Sequence, residues 1–371
     1  MSHANFPPFR PHPLLRSGHA QTLWAAYVSG RNYPYRATRH RVELPDGDAV
    51  VLHDDCPAGW RPGHRAALLI HGLCGSHLSS YMVRIAGRLN EAGVRTFRMD
   101  LRACGAGEGL ARLPYHAGCS DDAALALRMV HRVCPDSPTG VIGFSMGGNV
   151  ALKLCGEAPD ELPDNLDRCV TVSPPIDLMS ACEYLNRGWH RLYDRHFVRR
   201  LVRTLHANRR LLPDPPEAQF LRPPRRIIDF DDAYTAPMRG FGTATNYYAR
   251  CSSRQFLPRV RVPTLILSAQ DDPLVPARLF DDLSDAPAVT VHVSRHGGHL
   301  GFIAGRGDDP DRRWMDWRII DWMTAGDRAG FDALPAAIAR QLLDRAKRQA
   351  LRGQSTSRSA SKTGPSTQVR R

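Results

Sequence analysis

A serine between two glycines is the most informative short motif in the sequence. Residues 143–147 read Gly-Phe-Ser-Met-Gly, a G-x-S-x-G pattern, and the apolar residues just before Ser145 predict a strand. A sharp turn from a strand into a helix needs small residues two positions before and after the serine, because the two backbones approach closely there. The helix N-terminus then favours negative charge beside the serine oxygen. The motif predicts that Ser145 is a nucleophile.

A serine hydroxyl needs a base to become a good nucleophile, and with this motif the chain order is serine, carboxylate, histidine. Two carboxylates, Asp271 and Asp272, follow the predicted strand 264–268. We favour Asp272 as the group that orients the histidine, because it lies three residues after the small Ala269, where a side chain can leave the strand. Asp271 is then predicted to be a turn cap.

Two histidines compete for the role of general base. His296 and His299 follow the predicted strand 289–293, in a loop with glycines at 297 and 298. We favour His299, because the glycines before it let the loop bring its ring over the serine; His296 is nearer the strand end. In this assignment Asp272 fixes the tautomer of His299, and His299 takes the Ser145 proton as the serine oxygen attacks a carbonyl carbon.

Two backbone N–H groups are predicted to bind the negative charge that develops on the carbonyl oxygen. Met146, the residue after the serine, supplies the first. Leu73 supplies the second, because residues 71–75, His-Gly-Leu-Cys-Gly, directly follow the predicted strand 66–70. An ordinary glycine-rich turn is the alternative interpretation of this segment. The presence of segment 71–75 together with the G-x-S-x-G motif favours an oxyanion hole.

Predicted strands and helices alternate along the chain, which is typical of a mostly parallel sheet with helices on both faces. The strands are predicted at 66–70, 94–99, 139–143, 170–173, 264–268 and 289–293, and the helices at 81–91, 121–133, 149–154 and 314–323. The sequence therefore predicts an α/β fold with a mostly parallel, doubly wound sheet.

The domain organisation follows from where this alternation stops. Residues 178–248 are rich in arginine, aromatic residues and leucine and show no strand pattern, so we predict a helical cap inserted there. Residues 1–177 and 249–325 are then the core. An amphipathic basic helix is predicted at 326–350. The Ser/Thr/Gly/Gln-rich basic tail 351–371 is predicted to be disordered.

Composition narrows the classes of protein. Hydrophobic residues make up 42% and charged residues 23%, as in soluble globular proteins. We expect a cytoplasmic protein, because no apolar run is long enough for a membrane span and the N-terminus does not resemble a secretory signal. The nine cysteines have no regular spacing, so neither a disulfide framework nor a zinc site is expected.

The net charge of +13 is concentrated at the C-terminus. From Lys347 onward there are seven Lys or Arg residues and no acidic residue. No specific nucleic-acid partner is therefore predicted for the folded body. Solvation of a charged tail is the favoured interpretation, and peripheral membrane contact through the basic C-terminus is an alternative hypothesis.

With these residues identified, the sequence resembles the α/β-hydrolase superfamily. The most similar branch contains the bacterial YheT-type hydrolases, the plant embryogenesis-associated proteins and the mammalian abhydrolase-domain lipases. Besides the G-x-S-x-G motif, the resemblance within residues 6–323 rests on segments 13–22, 71–81, 100–105, 173–178, 240–248, 271–273 and 296–302. Asp100 and Ala103 stand where that family more often has Asn and Gly.

The resemblance implies a carboxylesterase- or lipase-like enzyme with Ser145, Asp272 and His299 as its triad. The expected substrate is a small-molecule ester of a short to medium acyl chain, or a lipid, and neither a cofactor nor a metal is implied. Two alternatives stay open from the sequence. One is an acyltransferase that uses the same acyl-enzyme, and the other is a non-catalytic binding scaffold on this fold.

Overall fold

The computed structural model describes residues 6–28, 33–208 and 223–326. From residue 327 onward, the predicted basic helix and basic tail lie outside the described residues.

The described residues form one eight-stranded sheet. Its strands are β1 (Thr38–Glu43), β2 (Ala49–Asp55), β3 (Ala66–Ile70), β4 (Arg95–Asp100), β5 (Thr139–Phe144), β6 (Leu166–Val172), β7 (Thr264–Ala269) and β8 (Val289–Ser294). Their order across the sheet is β1-β2-β4-β3-β5-β6-β7-β8. The pairs β1–β2 and β2–β4 are antiparallel, and the other pairs are parallel. The predicted α/β fold with a mostly parallel sheet is confirmed.

Helices precede, connect and follow these strands. They are α1 (Gly18–Tyr27), α2 (Ser80–Glu91), α3 (Ser120–Val133), α4 (Met146–Glu157), α5 (Leu178–Leu185), α6 (Arg191–Ala207), α7 (Ile227–Phe230), α8 (Ala236–Met238), α9 (Ala244–Cys251) and α10 (Trp314–Thr324). A π-helical turn, Asp231–Thr235, joins α7 to α8.

Two apolar clusters lie on the two faces of the sheet. Alternate residues of β3 belong to different clusters: Leu68 packs with residues of α3 and α4, and Leu69 packs with residues of α2 and α10. This alternation follows from the two-residue period of a strand. Because the central strands are buried on both faces, their sequences are continuous apolar runs.

The predicted elements lie within a few residues of the observed ones. The start of α4 at Met146, directly after the serine, is three residues earlier than predicted. Helix α1 was not predicted, and neither were strands β1 and β2. The turn between them contains Pro45-Asp46-Gly47, with Gly47 at φ 81°, a turn signal that the polar character of β1 obscured.

Between residues 178 and 248 the described residues form helices and turns.

Eight of the nine cysteines are buried and all nine are free thiols. None of the described helices is both long enough and apolar enough to cross a membrane.

Candidate active site

Ser145 lies at the turn between β5 and α4. Its backbone has φ 52° and ψ −122°, a conformation that L-residues rarely adopt and that is found mainly at functional sites. The N–H of Ser145 donates to the Val172 carbonyl oxygen (2.8 Å), and the Ser145 carbonyl oxygen accepts the N–H of Gly148 (2.8 Å). These hydrogen bonds to β6 and α4 hold the strained turn in place.

The two glycines of the motif allow the strand, the helix and the preceding loop to pack at this turn. A Cβ atom on Gly143 would lie 2.4 Å from the Gly147 carbonyl oxygen. A Cβ atom on Gly147 would lie 2.4 Å from the carbonyl oxygens of both Ile70 and His71. Glycine at these positions is thus required by backbone contact, as the sequence predicted.

Hydrogen bonds join Ser145, His299 and Asp272 in a chain. Nε2 of His299 lies 2.9 Å from Oγ of Ser145, and Nδ1 lies 2.9 Å from Oδ2 of Asp272. Oδ1 of Asp272 accepts the N–H groups of Leu274 (2.8 Å) and Val275 (3.0 Å). Because an ionised carboxylate only accepts, Nδ1 of His299 carries the proton and Nε2 is free to accept the serine proton.

Asp271 and His296 form a separate pair outside this chain. Oδ2 of Asp271 lies 3.3 Å from Nδ1 of His296, and Oδ1 accepts the Gly298 N–H (2.9 Å). These contacts hold the loop that carries His299. The structure therefore brings the favoured carboxylate and histidine together with Ser145 and leaves their neighbours as loop contacts.

Helix α1 anchors the same loop from the other side. Oγ1 of Thr22 accepts the His299 N–H (2.9 Å) and donates to the Gly18 carbonyl oxygen (2.7 Å). The buried side chain of Gln21 binds both backbone groups of Ile303, accepting its N–H (2.6 Å) and donating to its carbonyl oxygen (3.0 Å). Thr22 and Gln21 thus position His299, a role that the sequence analysis did not assign. Their presence in segment 13–22 was the available signal.

Leu73 lies in a loop whose neighbouring N–H groups are already bound. The Gly72 N–H donates to the Tyr81 hydroxyl oxygen (2.9 Å), and the Cys74 N–H donates to the Tyr115 hydroxyl oxygen (3.0 Å). Burial raises the pKa of both tyrosines, so both phenols stay neutral. Among the described residues, the N–H of Leu73 has no acceptor. It is therefore available to an anionic oxygen.

The second predicted donor, Met146, is the first residue of α4. N–H groups in the first turn of a helix have no partner within the helix, and they lie at its positive end. On the other side of the loop, Nη2 of Arg200 donates to the Cys74 carbonyl oxygen (2.6 Å). This contact ties the Leu73 loop to α6.

A buried carboxylate fixes the residues that follow the Leu73 loop. Oδ2 of Asp100 accepts from Nε2 of His53 (2.9 Å) and Nδ1 of His77 (2.7 Å), and Oδ1 accepts the His77 N–H (2.6 Å). Burial alone would raise the pKa of Asp100, but these hydrogen bonds hold it well below its usual range. Burial lowers the pKa of His53, whose neutral ring accepts the Tyr35 hydroxyl (2.6 Å). An ionised Asp100 therefore ties the loop to the end of β4.

In the described part of the chain, the same three side chains are close enough together to ligate a metal ion, with their ligand atoms within 4.8 Å of one another. The rings of His53 and His77 stack, with centroids 3.5 Å apart and planes 11° apart. A ligated ion lies near the plane of each imidazole at about 2.0–2.1 Å, and two parallel rings at this spacing cannot both meet that condition. The arrangement fits hydrogen bonding to Asp100 better than metal binding.

Leu73 lines two cavities. The outer one, of about 730 Å³, is lined by Ser145 and His299 and lies between α1, α6 and the Leu73 loop. Among the described residues that line it, none is acidic. The inner one, of about 70 Å³, is lined by Leu73 and Met146, by residues 111–116 and by apolar side chains of α6 and α7. A substrate carbonyl bound between the predicted donors would lie beside Leu73, which lines both cavities.

Among the described residues that line the inner cavity, one carries a carboxyl group. Asp231 begins the π-helical turn, and burial raises its pKa to about 6. The Tyr248 hydroxyl donates to its Oδ2 (2.7 Å). π-Helical turns occur frequently at functional sites.

A serine on such a turn, followed along the chain by a carboxylate and then a histidine from loops after later strands, is how α/β hydrolases present their nucleophile. The fold and the site together define this class. The chain belongs to the α/β-hydrolase fold family, whose sequence model matches residues 67–305.

Relatives in sequence narrow the class further. The chain is 33% identical over 331 residues to YheT of Escherichia coli (strain K12), a protein named as a candidate esterase, covering 87% of this chain and 94% of that protein. It is 25% identical to the embryogenesis-associated protein EMB8 of Picea glauca, covering 85% and 72%, and 24% identical to the phospholipase ABHD3 of Homo sapiens, covering 78% and 72%. The chain is therefore an esterase- or lipase-like α/β hydrolase of the predicted branch.

Solved structures agree on the fold. An esterase of Pyrococcus furiosus superposes with a TM-score of 0.52 at 15% identity, covering 80% of this chain and 92% of that one. The 2,6-dihydroxy-pseudo-oxynicotine hydrolase superposes with a TM-score of 0.53 at 19% identity, covering 80% and 70%.

Proposed function

We propose that the protein hydrolyses carboxylic esters with Ser145 as nucleophile, His299 as general base and Asp272 as the group that orients the histidine. The observation that carries the proposal is the hydrogen-bonded chain from Ser145 Oγ through His299 to the buried Asp272. A binding scaffold has no need for a serine held in a strained conformation beside an oriented imidazole.

In the proposed reaction, His299 Nε2 takes the hydroxyl proton as Ser145 Oγ bonds to the carbonyl carbon of the ester. The carbonyl oxygen becomes an oxyanion and accepts the N–H groups of Leu73 and Met146. His299 returns the proton to the alcohol as the ester bond breaks. A water molecule, deprotonated by the same histidine, then attacks the acyl-enzyme, and the carboxylic acid leaves with Ser145 restored.

Two features support an amphipathic ester as substrate. The inner cavity, beside the predicted oxyanion donors, is mainly apolar, so we assign it to the acyl chain. The outer pocket contains aromatic and basic side chains and, among its described residues, no acidic one, so we assign it to the alcohol half. The phospholipase name of the ABHD3 relative is consistent with a lipid-like substrate.

Acyl transfer to an alcohol is a second candidate. The chain is 26% identical over 285 residues to the medium-chain fatty acid ethyl ester synthase/esterase 2 of Saccharomyces cerevisiae, covering 70% of this chain and 62% of that protein. The same acyl-enzyme would serve both reactions, with an alcohol instead of water in the outer pocket. Product analysis with added ethanol distinguishes an ethyl ester from the free acid.

The residues between 178 and 248 are proposed to act as a cap over this site. Support comes from α6, whose Tyr193, Phe197 and Arg200 line the outer pocket together with Ser145.

The test is hydrolysis of p-nitrophenyl esters of graded acyl length by the wild-type protein and by Ser145→Ala. The proposal expects turnover by the wild type and none above background by the variant at an unchanged melting temperature. Equal turnover by both proteins would overturn it.

A further inference from the structure

Exposed apolar side chains surround the mouth of the outer pocket. Among the described residues, the large apolar side chains that are exposed include Leu23 and Tyr27 on α1, Trp189 just before α6, Leu192 in its first turn, and Leu78 beside the pocket-lining Ser79 and Ser80. Tyr27 is 74% and Trp189 is 78% exposed. We call these five side chains the apolar rim. They come from three separate segments that converge only at the pocket.

Basic side chains follow the exposed face of α6. Arg191, Arg195, Arg199 and Arg203 recur every four residues and are all exposed, and we call them the arginine stripe. The acidic residue on this helix, Asp194, is buried and accepts the Ile227 N–H (2.8 Å). In the described part of the chain, no acidic side chain forms an ion pair with the stripe.

The arginine stripe lowers the stability of α6 on its own. Like charges four residues apart on a helix repel one another, and no carboxylate of the described residues pairs with these arginines. Here, unpaired positive charges lie next to exposed tryptophan and tyrosine side chains. Such a combination is typical of a surface that binds an anionic, amphipathic partner.

We propose that the apolar rim and the arginine stripe dock the protein on an anionic phospholipid bilayer, with the mouth of the pocket against the lipid. Arginine side chains bind phosphate groups, and tryptophan and tyrosine lie at the headgroup level. The apolar rim would enter the acyl boundary. Docking itself is independent of the chemistry at Ser145. That the bilayer supplies the ester rests on the proposed function.

Charge and polarity favour a bilayer over other partners. A second copy of this chain would bring two arginine stripes together, which is repulsive. A nucleic acid would satisfy the arginines but would leave the exposed face of α1 unmatched, where Leu23, Trp24, Tyr27 and Val28 are all exposed and none is charged.

The experiment is vesicle flotation of the full chain carrying Ser145→Ala, so that binding is measured without hydrolysis. Vesicles of phosphatidylcholine alone are compared with vesicles that also contain phosphatidylglycerol. We expect binding to the anionic vesicles that weakens with added salt. Failure to bind anionic vesicles overturns the proposal, and leaves the esterase proposal to be judged by turnover alone.

The variant Arg195→Glu, Arg199→Glu, Arg203→Glu tests the stripe, with at least a tenfold loss of vesicle binding expected. Its matched control is the triple charge reversal of three exposed arginines that do not line the pocket, Arg132, Arg259 and Arg306. Both triples change the net charge equally and keep the basic C-terminus. Equal losses from both triples would overturn the assignment to α6. Melting temperatures check that each variant is folded.

The rim has its own pair of variants. Trp189→Ser with Leu192→Ser should weaken binding at unchanged charge, whereas Leu14→Ser, at a site that is 84% exposed and does not line this pocket, should leave binding unchanged. Binding of duplex DNA by the stripe without vesicle binding, or a dimer in light scattering that the rim variant dissociates while vesicles go unbound, would contradict the proposal.

Discussion

Asp271 and Asp272 are adjacent in the sequence and both accept hydrogen bonds near His299, but they contact different atoms. Asp272 binds the imidazole and two backbone N–H groups, whereas Asp271 binds a backbone N–H and His296. The spacing from the strand end favoured Asp272 in the sequence. The contacts that separate the two roles depend on the path of the loop, which no local pattern specifies.

Replacing the two carboxylates in turn should separate orientation of the base from support of the loop. Asp272→Asn retains the shape but presents an amide that no longer holds the Nδ1–H tautomer, so we expect kcat to fall on the order of 10⁴-fold with KM nearly unchanged. Asp271→Asn still accepts the Gly298 N–H, so its loss in kcat should stay under about tenfold. Steady-state kinetics on one p-nitrophenyl ester measures both. Similar losses in the two variants would contradict the assignment.

Asp231 makes stability depend on pH. Its pKa is raised to about 6 by burial, whereas an unfolded aspartate has a pKa of about 3.9. The folded state therefore binds more protons between these values, and the free energy of unfolding falls as pH rises through this window. Above about pH 6 the full cost of a buried carboxylate is present, on the order of 2–3 kcal/mol for two pKa units.

Asp231→Asn cannot ionise and removes this dependence. We expect the variant to gain stability relative to wild type as pH rises from 4 to 7, as measured by urea unfolding at several pH values. The exposed Asp285→Asn is the control and should show no such trend. A difference between Asp231→Asn and wild type that is constant with pH would contradict the raised pKa.

At the scale of elements, the close approach of β3 and α4 positions the nucleophile. Gly147→Ala would bring a Cβ atom to 2.4 Å from two carbonyl oxygens of the β3 end. We expect a loss of roughly 1–3 kcal/mol in stability and a large loss of turnover, because backbone shifts there move both oxyanion donors. Gly307→Ala, where a Cβ atom meets nothing within 4 Å, should change neither. Thermal unfolding and turnover of both variants provide the check, and an active, stable Gly147→Ala would contradict this account of the turn.

Much of the fold could be predicted because the central strands and helices carry strong local patterns. Residues 66–70 were predicted with the bounds of β3, since a strand buried on both faces is a continuous apolar run. Strand β1 was not predicted, because it lies at the exposed edge of the sheet and Val42 is its single buried side chain. The predicted start of α4 was too late, because Gly147 and Gly148 in its first turn have low helix propensity and tertiary contacts hold them in the helix.

At the scale of the whole molecule, the site joins segments that are far apart along the chain. Ser145 and His299 are 154 residues apart, and Gln21 and Ile303, which hold the His299 loop, are 282 apart. Motif order could predict the three residues of the proposed triad. The role of α1 and the pocket between α1 and α6 required the three-dimensional arrangement.

The volume of the inner cavity should set the acyl preference if the acyl chain binds there. Ala111→Leu adds methyl groups to its wall, and we expect the optimum in a series of p-nitrophenyl esters to shift to shorter chains. Leu205→Ala enlarges the same cavity and should shift the optimum to longer chains. Both residues line this cavity and are buried. An optimum that moves with neither substitution would place the acyl chain elsewhere.

Covalent labelling with a fluorophosphonate, followed by peptide mass mapping, tests the central claim most directly. The account predicts a single adduct on the peptide that contains Ser145, no adduct in Ser145→Ala, and slow labelling of His299→Ala because the base is missing. An adduct on another residue, or an unlabelled wild-type protein that still hydrolyses esters, would contradict it.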